Sequence, residues 1–347
     1  MSDNEALHEP RSNDVRAGRQ RTTMVGQPMT GALADRTTRS PAPVTNPPRQ
    51  RLRRALRRHG KEYLLFAALA GPNLALILVF SYWPVIYNLY LSFTSWDMIS
   101  PAPSWVGLDE YRQLFTSADF GHVLLNTAKF VVLIVVGAIV GGLATALVLN
   151  QRLAGRGLVR TLSFAPHIVS GAAIAALWLF MLDPSFGLLR ALLEPLGISS
   201  PQWTTSSHYS LYALVMVYLW KGIGFCAIIY VAGMQNLPTD LFEAATLDGA
   251  NRWQQFRHVT FPLLSPVTYF LVVTSIIGAF QAYDVTAVMT GGGPGQSSTT
   301  LSWFIYQQAF QASNAGLAAA AAMVMLVVLL TITILLARYG ERRVTYQ

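Results

Sequence analysis

Six stretches of this 347-residue chain stay apolar over about 20 residues or more. Each is long enough to cross about 30 Å of hydrocarbon. In lipid, every backbone N–H and C=O must find a partner inside its own helix or in a closed barrel. Runs of this length and continuity therefore predict an all-α integral membrane protein with about six transmembrane helices. With 52% of residues hydrophobic and 12% charged, the balance is far from that of a soluble domain. The spans are expected near 64–91, 123–149, 158–182, 209–234, 262–289 and 316–337. Pro72 and Pro84 predict kinks in the first. Its aromatic end, Tyr82, Trp83, Tyr87, Tyr90, Phe93 and Trp96, suits a membrane-interface belt. Gly137, Gly141 and Gly142 predict close packing of the second span.

Outside the spans the charges are unevenly shared. Residues 1–60 are rich in Arg, Pro, Ser, Thr and Gly and poor in branched apolar residues. Such a segment cannot offset its conformational entropy and is expected to be a disordered tail. Its basic run (Arg49, Arg51, Arg53, Arg54, Arg57, Arg58 and Lys61) abuts the first span and has no interleaved aromatic residues. Attraction to anionic lipid fits it better than a nucleic-acid arm. The apolar region begins too late and runs too long for a cleavable signal peptide. The tail, Arg152, Arg156, Arg160, Arg252, Arg257, Arg338, Arg342 and Arg343 fall on one side of the expected membrane. The other side carries mainly Asp97, Asp109, Glu110, Asp119, Asp183 and Glu194. The positive-inside rule then makes both termini cytoplasmic, including residues 341–347, with the transmembrane region at 61–340.

One polar stretch, about 238–262, lies between two spans on the cytoplasmic side. Pro238, Thr239 and Asp240 form a helix start signal, and Gly249 a stop. Asn251 with Gln254 reads as the cap of a second short helix ending before Pro262. The result is a two-helix knob. Leu241, Ala244 and Ala245 share one face, where small alanines admit close approach by another backbone. Glu243 and Asp248 offer charge to a basic partner. On residue chemistry alone, an amphipathic helix resting in the headgroups fits as well.

The spacing Glu243-Ala-Ala, three residues, Gly249, nine residues, Val259-x-Phe261-Pro262 resembles the EAA loop of binding-protein-dependent ABC importer permeases. The flanks Ala232–Pro238 and Asp248–Ala250 resemble the carbohydrate-uptake branch. So do Ser92–Asp97 with Val106–Tyr111, Asp183–Gly187, and Met289–Gly295 with Tyr306–Phe310, the last in the MalF-like manner. The resemblance implies a second homologous permease, two ATPase subunits that bind ATP and Mg, and an extracytoplasmic solute-binding protein. It implies a prokaryotic plasma (inner) membrane. Glu243, Ala244, Ala245, Asp248, Gly249 and Ala250 would meet the ATPase. A sugar, an oligosaccharide or glycerol 3-phosphate would be the cargo. A gradient-driven secondary transporter is the alternative, although it needs no EAA knob and internal repeats are not evident.

Within the spans, Trp220, Lys221, Gln281, Tyr283 and Asp284 are candidates for a substrate cavity, because intramembrane charge is costly and usually faces a bundle interior or water. Lys221 is also open to the simpler reading of a partner for Asp284 or for a helix break at Gly222 and Gly224. Lys129 is expected to snorkel outward. Gly291–Gly295 reads as a flexible outer turn over a cavity mouth. Neither catalysis nor metal is expected. The three lysines (Lys61, Lys129, Lys221) lie outside any phosphate-loop pattern, and the six histidines lack ligand spacing. The single cysteine, Cys226, reads as a small buried hydrophobe.

Overall fold

The computed structural model describes residues 60–151 and 155–340. The expected disordered tail with its basic run, and the C-terminal segment 341–347, lie outside the described residues. The chain divides into two units, residues 1–68 and 69–347; the first is described only from Gly60.

Helix α1 (Gly60–Ile77) passes through a π-turn (Leu78–Tyr82) into α2 (Trp83–Leu91), and together they supply a span over Leu64–Leu91. Pro84 lacks an N–H and its ring crowds the preceding turn. The π-turn, in which the Trp83 N–H reaches back to Leu78 O, widens the helix just before that proline. The outer side follows as a two-stranded antiparallel hairpin, β1 (Thr94–Ser95) and β2 (Ser104–Trp105), with Thr94 opposite Trp105. Helix α3 (Asp109–Thr116) leads into α4 (Ala118–Leu149), the second span.

The third expected span is not a straight helix. It is split into α5 (Arg156–Ile168) and α6 (Gly171–Met181), which meet at 102°. Val169 and Ser170 are extended at the break, and Ser170 Oγ caps α6 by accepting from the Ala173 N–H at 3.5 Å. Pro166 precedes the break, and a serine cap starts a new helix more readily than it continues an old one. Two elements now stand where one was expected, and among the described residues five helices are long and apolar enough to cross a membrane without such a bend.

An outer segment with α7 (Leu188–Leu193) leads to α8 (Ser210–Gln235), the fourth span. The knob consists of α9 (Thr239–Leu247), α10 (Arg252–Gln255), a π-turn (Phe256–Thr260) and α11 (Phe261–Leu263). The fifth span is α12 (Ser265–Phe280) and α13 (Asp284–Met289), interrupted at Gln281–Tyr283. Helix α14 (Leu301–Tyr306) and a π-turn (Gln307–Gln311) precede α15 (Ala315–Gly340), the last span.

Helices α4 and α8 form the spine. Gly137 lies under Leu219, Gly141 under Ile223, and Gly142 against the Cys226 side chain and the Ala227 backbone. A Cβ at any of the three would overlap its neighbour. Gly224 does the same for α5, whose Ser163 carbonyl rests on it. Lipid tails are as apolar as leucine, so association of spans depends on such close van der Waals contact. One core cluster (Phe130, Ile134, Ile174, Leu214, Val285) occupies one end of the spine; a second (Ala146, Cys226, Tyr230, Leu271) occupies the other. A third joins Leu114 and Phe120 to Leu301, Phe304 and Leu317 near the hairpin.

At the hairpin, α15 starts where Ala315 N–H donates to Trp96 O at 2.9 Å, and Gly316 packs on the Thr94 carbonyl. Glu110 of α3 is buried beside that start. Burial raises its carboxyl above the ordinary value of 4.5 despite a Ser95 hydroxyl that favours the ionised form. The folded state therefore holds this proton more tightly than the unfolded one. Its contribution to stability is present below about pH 4.5 and is lost as pH rises through the folded value. Glu110→Gln removes that titration, so the fall in melting temperature of solubilised protein between pH 4.5 and 7 becomes shallower than in the wild type. Separately, Gly142→Leu overfills the α4–α8 contact, where overpacking costs about 1–3 kcal/mol or more, and is expected to lower the melting temperature clearly. Gly121→Ala, with open space at its Cβ, is expected not to.

Candidate functional site

The knob is built by local rules. Pro238, with φ −61°, turns the chain into α9. Gly249 ends it at φ +76°, a left-handed conformation that costs other residues energy. Ala250 N–H closes the turn on Ala245 O at 2.9 Å. The capping box is complete: Gln254 N–H donates to Asn251 Oδ1 at 2.9 Å, and Asn251 N–H to Gln254 Oε1 at 2.8 Å. Gln255 Nε2 then donates to Thr246 Oγ1 at 3.1 Å and to Ala250 O at 3.2 Å, tying the second helix back to the first. The second helix does not end before Pro262. Phe261 N–H reaches Phe256 O across a π-turn, and the chain stays helical through the proline.

Of the expected coupling residues, Glu243, Ala244, Asp248 and Gly249 are exposed and Ala245 and Ala250 partly covered. Around them Leu247 is 89% exposed and Trp253 65% exposed.

Inside the spans, a cavity of about 220 Å³ opens between α4, α5, α8 and α12. Lys221, His167, Tyr218, Phe225, Thr274 and Ser275 supply its chemistry, and Cys226 and Gly278 are also in its wall. The His167 ring stacks on Phe225 at 4.6 Å. A lysine at the centre of a spanning helix costs about 2.5–3.5 kcal/mol on insertion scales. Facing this cavity rather than lipid lowers that cost.

The five intramembrane candidates do not converge. Lys221 lines the cavity, but Trp220 points to a separate groove with Leu162, Pro166, Val169 and Leu177, against Trp178 at 5.7 Å. Gln281 is exposed. Tyr283 stacks on Trp303 at 5.8 Å and Tyr306 at 4.7 Å. Asp284 does not pair with Lys221. Its carboxylate accepts from Tyr218 Oη at 2.6 Å and from the Val285 N–H at 2.9 Å, and it lies against Gly171. One hydrogen bond within a membrane protein contributes about 0.6 kcal/mol and at most about 1.7, less than the cost of the charge. The positive end of α6, which begins at Gly171, supplies a further stabilisation of up to about 2 kcal/mol. Both contacts together are needed.

The segment Gly291–Gly295 is not the flexible turn expected of its glycines. Gly292 is buried, and its carbonyl accepts from Thr299 Oγ1 at 2.9 Å. Ser298 Oγ donates to Gly293 O and shares a hydroxyl–hydroxyl bond with Thr290 Oγ1, each at 2.8 Å. Asn126 of α4 bonds Gln296 O at 3.0 Å, Ser210 of α8 bonds Ser297 at 2.8 Å, and Thr127 accepts from Leu301 N–H at 2.8 Å. Glycine here permits dense packing, and the following hydroxyls fasten the loop to two spans.

Residues 134–346 match the family described as binding-protein-dependent transport system inner membrane component. The chain belongs to this family. It is 34% identical to the probable ABC transporter permease YurN of Bacillus subtilis, over 76% of this chain and 91% of the relative. It is 32% identical to UgpA, the sn-glycerol-3-phosphate transport system permease of Yersinia pestis, over 80% and 94%. The crystal structure of a bacterial ABC transporter that imports the acidic polysaccharide alginate is similar with a TM-score of 0.72 at 26% identity, covering 85% of this chain and all of the matched chain. The protein is thus a membrane-embedded permease subunit of an ABC importer, and the gradient-driven alternative falls.

The knob's rigidity is open to a direct check. Asn251→Ala removes one side of the capping box, a loss of about 1 kcal/mol. Amide exchange over residues 239–263 is expected to quicken about fivefold by that measure, with the spans unchanged.

Proposed function

We propose that this permease moves a polyhydroxylated solute, a carbohydrate or glycerol phosphate, through the cavity at Lys221, driven by ATP hydrolysed on a partner. The observation that carries this reading is the knob: a glycine-jointed pair of short helices, the second closed by a capping box, that presents Glu243 beside bare Leu247 and leaves Trp253 exposed. In the proposed assembly a second homologous permease completes the pathway. Two ATPase subunits bind ATP and Mg and receive the knob, and an extracytoplasmic solute-binding protein delivers the cargo. Glu243 makes the charged contact, Ala244 and Ala245 the close packing, and Gly249 the turn, with Asp248 and Ala250 flanking it. Closure of the ATPase pair pulls the knob and rocks the spans around the cavity.

In this reading both termini are cytoplasmic, and the membrane is the prokaryotic plasma (inner) membrane. The sequence supports that sidedness, since Arg156, Arg160, Arg252, Arg257 and Arg338 flank the spans on the knob side. Lys221 favours a cargo with an acidic group, because a cation facing a small cavity rewards an anion. That the chain is similar to a glycerol-phosphate permease and to an importer of an acidic polysaccharide supports the same choice. Hydroxyls of Thr274 and Ser275 and the Phe225 face suit the polyol portion.

Gly249→Asp tests the coupling. The left-handed turn then costs about 1 kcal/mol and a second carboxylate joins Asp248. Reconstituted importer carrying this variant is expected to hydrolyse ATP but to lose at least nine-tenths of its uptake, measured with glycerol 3-phosphate and with acidic and neutral oligosaccharides in vesicles. Uptake of any of them at the wild-type rate would contradict the coupling role.

A further inference from the structure

Two spans of this permease are broken, and the breaks meet. Helix α6 starts at Gly171, after the extended pair Val169 and Ser170. Helix α13 starts at Asp284, after the interruption at Gln281–Tyr283. The Asp284 carboxylate lies so close to Gly171 that a Cβ there would overlap it. The inner halves are held differently: α5 rests on α8 through Gly224, and α12 packs on α4 and α8. The outer halves α6 and α13 pack on each other and, through apolar side chains, on α8. The buried Trp178 Nε1 of α6 and Thr286 Oγ1 of α13 have no hydrogen-bond partner among the described residues. Among the described residues, the side-chain hydrogen bond between this outer pair and the spine is Tyr218–Asp284, at 2.6 Å. Tyr218 lines the cavity and Asp284 does not.

We propose that Asp284 is a positioning residue: its carboxylate latches the outer half-helices α6 and α13 to each other and, through Tyr218, to the cavity wall. Its charge belongs at the amino end of α6, where backbone N–H groups converge. Its second task is to fix the Tyr218 ring, and with it the outer limit of the cavity. Asp284 therefore acts on transport without touching the cargo. Loosening it frees the outer pair to swing at the two breaks, Val169–Ser170 and Gln281–Tyr283, and opens the cavity.

Cys226 reports on this directly. It is the chain's one cysteine, it is 1% exposed, and it lines the same cavity. The experiment labels the assembled importer, in native membranes, with N-ethylmaleimide and follows the Cys226 peptide by mass spectrometry. Wild type is expected to label slowly. Asp284→Asn and Tyr218→Phe are each expected to label about tenfold faster, the scale of one lost charge-assisted hydrogen bond. The double variant is expected to label no faster than Asp284→Asn alone, because the two groups share one link. Unchanged labelling in the single variants, or effects that multiply in the double, would overturn the latch. Should Asp284→Asn fail to assemble, Tyr218→Phe decides alone, since it deletes one hydroxyl and keeps the ring; labelling at the wild-type rate then overturns the proposal. The inference rests on the transport reading only for the meaning of the cavity. Faster labelling in an importer that moves no tested solute supports the latch and counts against the cargo path alone.

Discussion

The architecture depends on backbone approaching backbone inside the membrane. Among spans in lipid, apolar side chains gain little by exchanging lipid for protein, so contact density does what the hydrophobic effect does in water. Gly137, Gly141 and Gly142 let α4 settle onto α8, and Gly224 lets the α5 backbone rest on the opposite flank. This glycine-lined spine is what leaves the other spans free to be irregular. A half-helix can end in mid-membrane only where protein or water covers its backbone ends; at the breaks Val169, Ser170 and Gln281 are exposed in this chain, while Ala282 is buried.

Irregularity and chemistry coincide as a result. The cavity with Lys221 and His167 lies beside the spine, where α5 and α12 bring their inner halves to α8. The Asp284 carboxylate sits where both breaks meet. On the knob, prolines and glycine do comparable work with different means. Gly249 reverses the chain through a left-handed residue, while Pro262 is carried by a wide π-turn, as Pro84 is in the first span.

Much of this was legible before the structure. Length and hydropathy marked the spans because lipid leaves the backbone no other arrangement, and the start, stop and cap residues of the knob marked both of its helices. Gly137, Gly141 and Gly142 announced the spine. What escaped followed from tertiary context. Ser170 is a good helix cap, but inside an apolar run its hydroxyl looked incidental, so the third span read as straight. The glycines of Gly291–Gly295 suggested freedom, whereas Asn126, Ser210 and Thr127 fasten the segment that follows through contacts far apart in sequence. His167 was weighed only as a metal ligand, and nothing local linked it to Phe225 or Lys221. Asp284 and Tyr218 lie 66 residues apart and find each other only once two spans have broken.

The most direct test of the account is affinity purification of the detergent-solubilised chain with whatever remains bound, followed by an ATPase assay. The account predicts recovery of a second permease and an ATPase whose association is lost when Glu243 or Gly249 is changed. A chain that purifies alone in stable form, with no ATPase held at the knob, would contradict it.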